Sequence, residues 1–248
     1  IGAVTPIGVG VPTYWDSLVR GVCGIGEIGQ IDTSSLPIHR AAEVREFHPK
    51  DFMPTRLVLD MEPYAQYAYA AAQEAILQAG LSGSDRVGIV MGTALHGVGI
   101  LGRTQAHLDL DGKTAEPKLL TKCMGNVAAC QFSILHHITG PSMTVSTACS
   151  SGGDAVTLAS LLLNGGMADA VVVMAGEAAI TMTLIQCLDK IKALSPTGDS
   201  LPFDLARNGF VLGEGGGALI LEREETARAR GAKPLARLLG CANNTDAV

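Results

Sequence analysis

One cysteine stands where a strand pattern gives way to a helix pattern. Residues 142–147 (SMTVST) alternate apolar and polar side chains, which predicts a buried strand. The small residues 150–153 predict a tight turn, and from Asp154 onward apolar residues recur at helical spacing. Cys149 is therefore predicted to lie between a buried strand and the N-terminus of a largely buried helix.

The position of Cys149 favours covalent chemistry. The thiolate is the nucleophilic form of cysteine, and a helix N-terminus stabilises an anion by about 0.3–2 kcal/mol. A cysteine placed there can serve as an activated nucleophile without a metal. The alternative is a small buried hydrophobic residue at a tight turn, because free cysteines are often buried. For a lone cysteine in an apolar run the buried residue would be the better interpretation, but the pattern that surrounds Cys149 favours the nucleophile.

The composition excludes several classes of function. The 248 residues are 47% hydrophobic and only 17% charged, which predicts a buried core within one large domain or two small ones. A net charge of −6 gives no basis for a nucleic-acid surface. No apolar run reaches the roughly 18 residues of a membrane span. The six cysteines form no CxxC pair, which indicates reduced thiols in a cytoplasmic protein.

The strands and helices that position the cysteine can be predicted from runs of apolar residues and from the glycines and prolines that end them. Residues 86–92 and 169–175 are continuously apolar, which predicts strands of a sheet covered on both faces. The loop 93–99 follows the first of these strands, where open α/β sheets place their sites. We further predict helices at 12–18, 62–79, 127–138, 183–193 and 222–230, a short helix within 100–120, a hairpin at 209–222 and a strand at 234–242.

Two glycine-rich segments imitate a dinucleotide-binding fingerprint. Residues 24–29 spell a literal GxGxxG, but no strand precedes them and no helix follows. In residues 213–218 the glycines are followed by a strand pattern instead of a helix, so close backbone approach explains them better. Neither segment predicts a cofactor.

Four segments together carry a resemblance to a known family. Residues 145–152 (VSTACSSG) resemble the active-site signature of the β-ketoacyl-acyl carrier protein synthases, the condensing enzymes of fatty-acid and polyketide synthesis. Residues 2–8 (GAVTPIG) resemble the opening turn of that family, and residues 175–178 (AGEA) follow the cysteine at the family's spacing. Residues 202–215 resemble a further signature block, so the resemblance covers essentially the whole chain.

The resemblance implies a thiolase-like fold with a layered αβαβα architecture built from two similar halves. Residues 1–248 are then expected to form the N-terminal half, with a mixed, mostly parallel five-stranded sheet covered by helices. The family's two catalytic histidines and its lysine belong to the C-terminal half, which this chain does not contain. The chain begins at Ile1, within a motif, and we expect it to be a piece of a longer polypeptide.

The resemblance also implies a reaction and a set of site residues. Cys149 matches the nucleophile, whose backbone N–H contributes to the oxyanion hole, and Leu95 and Leu188 match positions that line the acyl pocket. The expected reaction is a decarboxylative Claisen condensation of an acyl group held on Cys149 with malonyl-acyl carrier protein. No cofactor and no metal are expected. The expected partners are acyl carrier protein, with its phosphopantetheine-linked acyl and malonyl groups, and a second copy in a homodimer.

The sequence also permits two other functions. The chain could be a non-catalytic or partner-dependent thiolase-like interaction module, because the histidine-bearing half is missing. It could also be a thiolase that uses coenzyme A, although the residues around Cys149 and the block at 202–215 argue against this. None of the six histidines matches a catalytic position of the family, but His96 adjoins the pocket residue Leu95.

Overall fold

A computed structural model describes residues 1–112, 114–245 and 247 of the chain. The strands are β1 Gly2–Thr5, β2 Gly8–Val9, β3 Gly26–Glu27, β4 Arg40–Ala41, β5 Val87–Gly92, β6 Ser142–Val145, β7 Ala170–Glu177 and β8 Gly215–Glu222. The helices are α1 Val11–Val19, α2 Thr55–Asp60, α3 Pro63–Ala79, α4 Val98–Asp111, α5 Leu119–Cys123, α6 Val127–His136, α7 Ser151–Asn164, α8 Met182–Lys190 and α9 Glu224–Ala229.

The main sheet has the strand order β2-β1-β8-β7-β5-β6, and β3 pairs separately with β4. Strand β5 is parallel to both of its neighbours, whereas β8 is antiparallel to β7 and to β1. Strands β1, β5, β6 and β7 therefore share one direction, and β8 alone of the longer strands opposes them. The prediction of a mixed, mostly parallel sheet is confirmed, and the two-residue strand β2 makes it six-stranded instead of five-stranded.

Two helices cover the two faces of this sheet. Helix α3 contributes a row of buried alanines to one face, where it packs against β1, β7 and β8. Helix α7 covers the other face, where Ala155, Ala159 and Leu162 pack with Val90 and Val171. The chain thus builds a helix–sheet–helix unit, which accounts for three layers of the expected αβαβα arrangement.

Glycines let α3 approach the sheet closely. A Cβ atom added at Gly176 of β7 would lie 2.2 Å from the Tyr64 carbonyl oxygen, and one at Gly216 of β8 would lie 2.5 Å from the Tyr67 carbonyl carbon. Both contacts are with helix backbone, which cannot move aside as a flexible side chain can. The interpretation of the 213–218 glycines as sites of close backbone approach agrees with this packing.

Most predicted helices and buried strands are present near their predicted positions. Helix α3 ends at Gly80, which adopts the left-handed conformation with φ of +58°. The GxGxxG at 24–29 contains the short strand β3 and no helix follows it directly, as expected. The short helix predicted within 100–120 falls on the fourteen-residue helix α4 and the five-residue helix α5.

Two predicted elements are wrong. Residues 209–222 do not form a hairpin, because only β8 is a strand and it pairs with β7 and β1. The residues before β8 make isolated bridges instead, from Gly213 to Ala42 and from Phe210 to Leu194. The strand predicted at 234–242 is also absent, and those residues are exposed. A strand needs a neighbour for its backbone hydrogen bonds, and the described residues offer none to that segment.

Candidate active site

Cys149 is exposed in the turn that joins β6 to α7. The helix begins at Ser151, with Ser150 as its N-cap, so it starts three residues earlier than the sequence pattern predicted. The difference arises because the buried Ser151 closes the turn. Its Oγ accepts a hydrogen bond from the Thr147 N–H at 2.9 Å and donates one to the Ala148 carbonyl at 2.6 Å.

The residue before the cysteine has an uncommon backbone conformation. Ala148 has a φ of +53°, in the left-handed region that costs a residue with a Cβ about 1–2 kcal/mol. Such strain persists only where the surrounding structure enforces it, and it is concentrated at functional sites. The backbone N–H of Cys149 makes no hydrogen bond within the described residues. The turn thus presents a thiol and a free backbone donor together at the start of a helix.

Strand β6 is not the buried strand that the alternation predicted. Ser142 and Met143 are exposed, because β6 is the last strand of the sheet and only β5 pairs with it among the described residues. Its outer edge therefore carries unpaired backbone groups along Ser142–Val145.

The loop after β5 lies against the end of β6. The Thr93 N–H donates to the Val145 carbonyl at 3.2 Å, and the Ser146 hydroxyl donates to the Ala94 carbonyl at 3.4 Å. On the other side, Glu177 at the end of β7 accepts hydrogen bonds from the backbone N–H groups of Ala94 and Leu95. The partly buried Leu95 is thereby held beside the strand that leads to the cysteine.

Leu188 lies elsewhere, on α8. It is partly buried and packs against an apolar cluster that includes Ile180, Ile185 and Leu194. The structure therefore brings the loop of Leu95 to the cysteine strand by direct hydrogen bonds, whereas it shows Leu188 as a packing residue of a separate cluster.

A cavity of about 480 Å³ opens beside β6. None of Cys149, Leu95 and Leu188 is among the described residues that line it. Its walls come from β6 and the residue after it, from the residue after Leu95 and from the segment before α6. They are formed by His96, Met124, Gly125, Asn126, Ser142, Met143, Thr144 and Ser146. No sequence pattern predicted this cavity, although His96 adjoins the predicted pocket residue Leu95.

Comparison with known proteins identifies the architecture around this cysteine. The family model described as "Beta-ketoacyl synthase, N-terminal domain" matches residues 1–227. The chain belongs to the β-ketoacyl synthase family. Over its whole length it is 35% identical to 3-oxoacyl-[acyl-carrier-protein] synthase 2 of Synechocystis sp., and it covers 62% of that protein. It therefore spans less than two thirds of the length of this relative.

Solved structures of β-ketoacyl synthases show the same fold. The ishigamide ketosynthase/chain length factor superposes with a TM-score of 0.82 at 28% identity, covering 94% of this chain and 59% of that one. A β-ketoacyl synthase from Burkholderia phymatum superposes with a TM-score of 0.83 at 25% identity, covering 94% of this chain and 60% of that one. The expected thiolase-like fold class is confirmed.

In this β-ketoacyl synthase chain the side chain of Asp154 also contacts the cysteine turn, which was not predicted from the sequence. Its Oδ2 accepts hydrogen bonds from the Thr147 and Ser150 hydroxyls, and its Oδ1 accepts one from the Asn243 amide. Both hydroxyl hydrogen bonds lower the pKa of Asp154 below its ordinary value, and the bond from Thr147 has the larger effect. The spacing of Ser150 and Asp154, one helical turn apart, could have indicated this contact.

The described part of this β-ketoacyl synthase chain holds no group of side chains that would bind a metal. Among residues 1–112, 114–245 and 247, no three His, Cys, Asp or Glu side chains are grouped so that they could hold a metal ion. In the same part of the chain, every helix is too short or too polar to cross a membrane.

Proposed function

We propose that the protein containing this chain catalyses a decarboxylative Claisen condensation in fatty-acid or polyketide synthesis, with residues 1–248 as the N-terminal half of its thiolase-like domain. The observation that carries the proposal is the exposed Cys149 thiol beside its own unbonded N–H at a strained strand-to-helix turn. The names of the relatives, which are 3-oxoacyl-[acyl-carrier-protein] synthases, support the substrate class.

In the first step the Cys149 thiolate attacks the thioester carbonyl of an acyl group carried by acyl carrier protein. A negative charge develops on the carbonyl oxygen, and the Cys149 N–H is placed to stabilise it. The carbon–sulfur bond to the phosphopantetheine breaks, and that sulfur leaves as a thiol after taking a proton. The acyl group is then held on Cys149 as a new thioester.

In the second step a malonyl group on acyl carrier protein loses CO₂. The resulting carbanion attacks the acyl-Cys149 carbonyl, a carbon–carbon bond forms, and Cys149 leaves as a thiolate. We place the groups that assist decarboxylation outside this chain, because none of its histidines matches the family's catalytic positions. The product is a 3-oxoacyl group on the carrier protein, and Leu95 and Leu188 are proposed to line the pocket for the incoming acyl chain.

The unpaired edge of β6 supports a homodimer. An exposed edge strand offers a row of free backbone N–H and C=O groups, and a second copy of β6 can pair with it. The six free cysteines support a reducing, cytoplasmic location.

The condensation is tested by incubating the purified protein, as its gene encodes it, with an acyl-acyl carrier protein and then with malonyl-acyl carrier protein. Acylation of Cys149 followed by release of CO₂ and a 3-oxoacyl product is expected. The same experiment with coenzyme A thioesters in place of carrier-protein donors separates a synthase from a thiolase, because only a synthase requires the carrier-bound malonyl group.

A second candidate is a partner-dependent interaction module. Large apolar side chains are fully exposed in the segment after α8, with Phe203 100% and Leu205 99% accessible. Exposed apolar groups of this kind mark surfaces that another polypeptide covers. Failure of both acylation and condensation, with stable association of the chain with another protein, would favour this candidate over the enzyme.

A further inference from the structure

The side chain of Asp154 is hydrogen-bonded to residues on both sides of Cys149. Its Oδ2 accepts a hydrogen bond from the hydroxyl of Thr147, two residues before the cysteine, and one at 3.0 Å from the hydroxyl of Ser150, the residue after it. The Ser150 hydroxyl also lies 2.8 Å from the carbonyl oxygen of Thr147. The turn that carries the thiol is therefore closed onto one carboxylate.

Helix capping does not explain this arrangement. An acidic residue in the first turn of a helix is common, because a negative charge there interacts favourably with the helix dipole. A serine at the N-cap usually accepts a hydrogen bond from a free backbone N–H of the first turn. Ser150 is the N-cap of α7, but its side chain makes no such bond and is bonded to Thr147 and Asp154 instead. These polar side chains thus serve the cysteine turn and not the helix end.

The carboxylate of Asp154 is itself fixed and charged. Its Oδ1 accepts a hydrogen bond from the amide of Asn243, 89 positions further along the chain. The hydrogen bonds from Thr147 and Ser150 hold the pKa of Asp154 below its ordinary value, so the group is ionised at neutral pH. Hydrogen bonds to an ionised acceptor are stronger than those between neutral groups. Asp154 can therefore hold the turn in one conformation.

The conformation that must be held is strained at Ala148. This residue has a φ of +53°, and the peptide group that follows it carries the N–H of Cys149. Relaxation of the Ala148 backbone would turn that peptide plane and the N–H with it. A strained backbone persists only where its surroundings enforce it. Ser151 binds the backbone of the turn, and Asp154 binds its side chains.

We propose that Asp154 is a positioning residue for acylation, because it keeps the turn in the conformation that directs the Cys149 N–H to the oxyanion of the thioester. This inference rests on the proposed function, in which that N–H stabilises the oxyanion. Removal of one oxyanion-hole donor lowers the rate by about 10²–10³. Loss of the Asp154 carboxylate displaces the donor without removing it, so a loss of about 10–100-fold is expected.

The test compares two reactions of the same thiol. Acylation by octanoyl-acyl carrier protein passes through a tetrahedral oxyanion. Alkylation by iodoacetamide forms no oxyanion, because the thiolate displaces iodide from carbon and a carbon–sulfur bond replaces the carbon–iodine bond. Both rates are measured at Cys149 by peptide mass spectrometry, on the purified protein as its gene encodes it and on its variants.

Asp154→Ala should affect only the reaction that forms an oxyanion. The maximal rate of acylation should fall about 10–100-fold, with little change in the carrier-protein concentration that gives half of it. The alkylation rate should rise, by no more than about fivefold, because a negative charge is lost near the helix N-terminus. A general loss of the fold would lower both rates together.

Two further variants identify the interaction, and a third is the matched control. Asp154→Asn keeps an acceptor oxygen and should recover most of the acylation rate. Thr147→Val keeps the side-chain shape, removes one donor and should lower acylation selectively but less, which also tests the inference if Asp154→Ala does not fold. Glu225→Ala removes an exposed acidic side chain from the first turn of α9 and should leave both rates unchanged.

The outcomes separate this inference from the function on which it rests. Wild-type acylation in Asp154→Ala, or equal losses of acylation and alkylation, would overturn the inference and leave the function standing. An Asp154→Asn variant as slow as Asp154→Ala would also overturn it, because hydrogen bonding would then not be the cause. Failure of octanoyl-acyl carrier protein to acylate Cys149 of the wild-type protein would overturn the proposed function and this inference with it.

Discussion

The carboxylate of Glu177 accepts a hydrogen bond from the backbone N–H of Leu95 at 3.0 Å, across 82 positions of sequence. The same oxygen, Oε2, accepts a second bond from the Ala94 N–H at 2.9 Å. The other oxygen, Oε1, is buried without a partner among the described residues. Glu177, at the end of β7, thus fixes the loop that carries Leu95, a proposed wall of the acyl pocket. It does so with a partly buried carboxylate.

We expect Glu177 to position the pocket wall without taking part in the chemistry. Glu177→Ala leaves two backbone N–H groups unpaired and should lower the free energy of unfolding by about 1–3 kcal/mol. It should also flatten the dependence of Cys149 acylation on acyl chain length, because Leu95 is no longer held. Glu177→Gln keeps an acceptor oxygen and should restore most of both properties. A Gln variant as impaired as the Ala variant would show that the negative charge, and not the hydrogen bonding, matters.

Close packing between β8 and α3 is testable with two neighbouring glycines. Gly216→Ala would place a Cβ 2.5 Å from helix backbone, and overpacking of this kind costs about 1–3 kcal/mol. At Gly217 the nearest atom to an added Cβ, the Gly2 carbonyl oxygen, is 4.0 Å away, so Gly217→Ala should be neutral or slightly stabilising. Chemical denaturation measures both variants. Equal losses of stability would contradict the packing of α3 on the sheet.

The buried side chain of Glu214 should make the free energy of unfolding depend on pH. Burial raises the pKa of Glu214 above the ordinary carboxyl value, and the nearby Glu43 raises it further. Hydrogen bonds from Val44, Gln30 and Tyr67 lower the pKa, but their combined effect is smaller. A group whose pKa is raised on folding stabilises the protein below its unfolded pKa. That contribution is lost as the pH rises through the folded pKa.

Glu214→Gln mimics the protonated side chain and separates this effect from others. The advantage of the variant over the wild type in free energy of unfolding should be small in acid. It should grow as the pH rises above the ordinary carboxyl pKa, and level off above the raised value. Glu46→Gln, at an exposed carboxylate, is the matched substitution measured beside it. A difference for Glu214→Gln that does not vary with pH would refute the prediction.

Alkylation distinguishes Cys149 from the other thiols. All six cysteines are free, and Cys23, Cys130, Cys187 and Cys241 are also exposed, so exposure alone does not select one of them. Cys149 is at the N-terminus of a fourteen-residue helix, where an anion is favoured. Iodoacetamide should therefore modify Cys149 first, as mapped by peptide mass spectrometry over time. Faster modification of Cys187, which lies within α8, would count against an activated Cys149.

The buried strands and the longest helix could be predicted from the sequence because their signals are local. Continuous apolar runs mark β5 and β7, and Gly80 marks the end of α3. The glycines of β8 were rightly ascribed to close backbone approach, but the hairpin at 209–222 was wrong, because the strands that pair with β8 are β1 and β7 and lie far away in the sequence. The segment 234–242 has a strand-like pattern, but a pattern cannot show that no neighbouring strand is available.

In the candidate site, too, features that depend on neighbouring residues could be predicted, whereas contacts between distant segments could not. Cys149 was found because its motif and the strand-to-helix change are adjacent in the sequence. The contact of Glu177 with Leu95, and the cavity between His96 and β6, join residues that only the folded sheet brings together. Asp154 was overlooked because an acidic residue in the first helical turn is common for other reasons. The left-handed backbone of Ala148 and of His96 could not be predicted from the sequence, because neither residue is a glycine.

Cys149 is expected to carry the acyl group during the reaction, and mass spectrometry of the acylated protein can locate that group. The purified protein and its Cys149→Ala variant are incubated with an acyl-acyl carrier protein, and the intact mass and the modified peptide are determined. We expect one acyl adduct per chain, located on Cys149, and no adduct on the variant. An adduct on another cysteine, or equal acylation of the variant, would show that Cys149 is not the nucleophile.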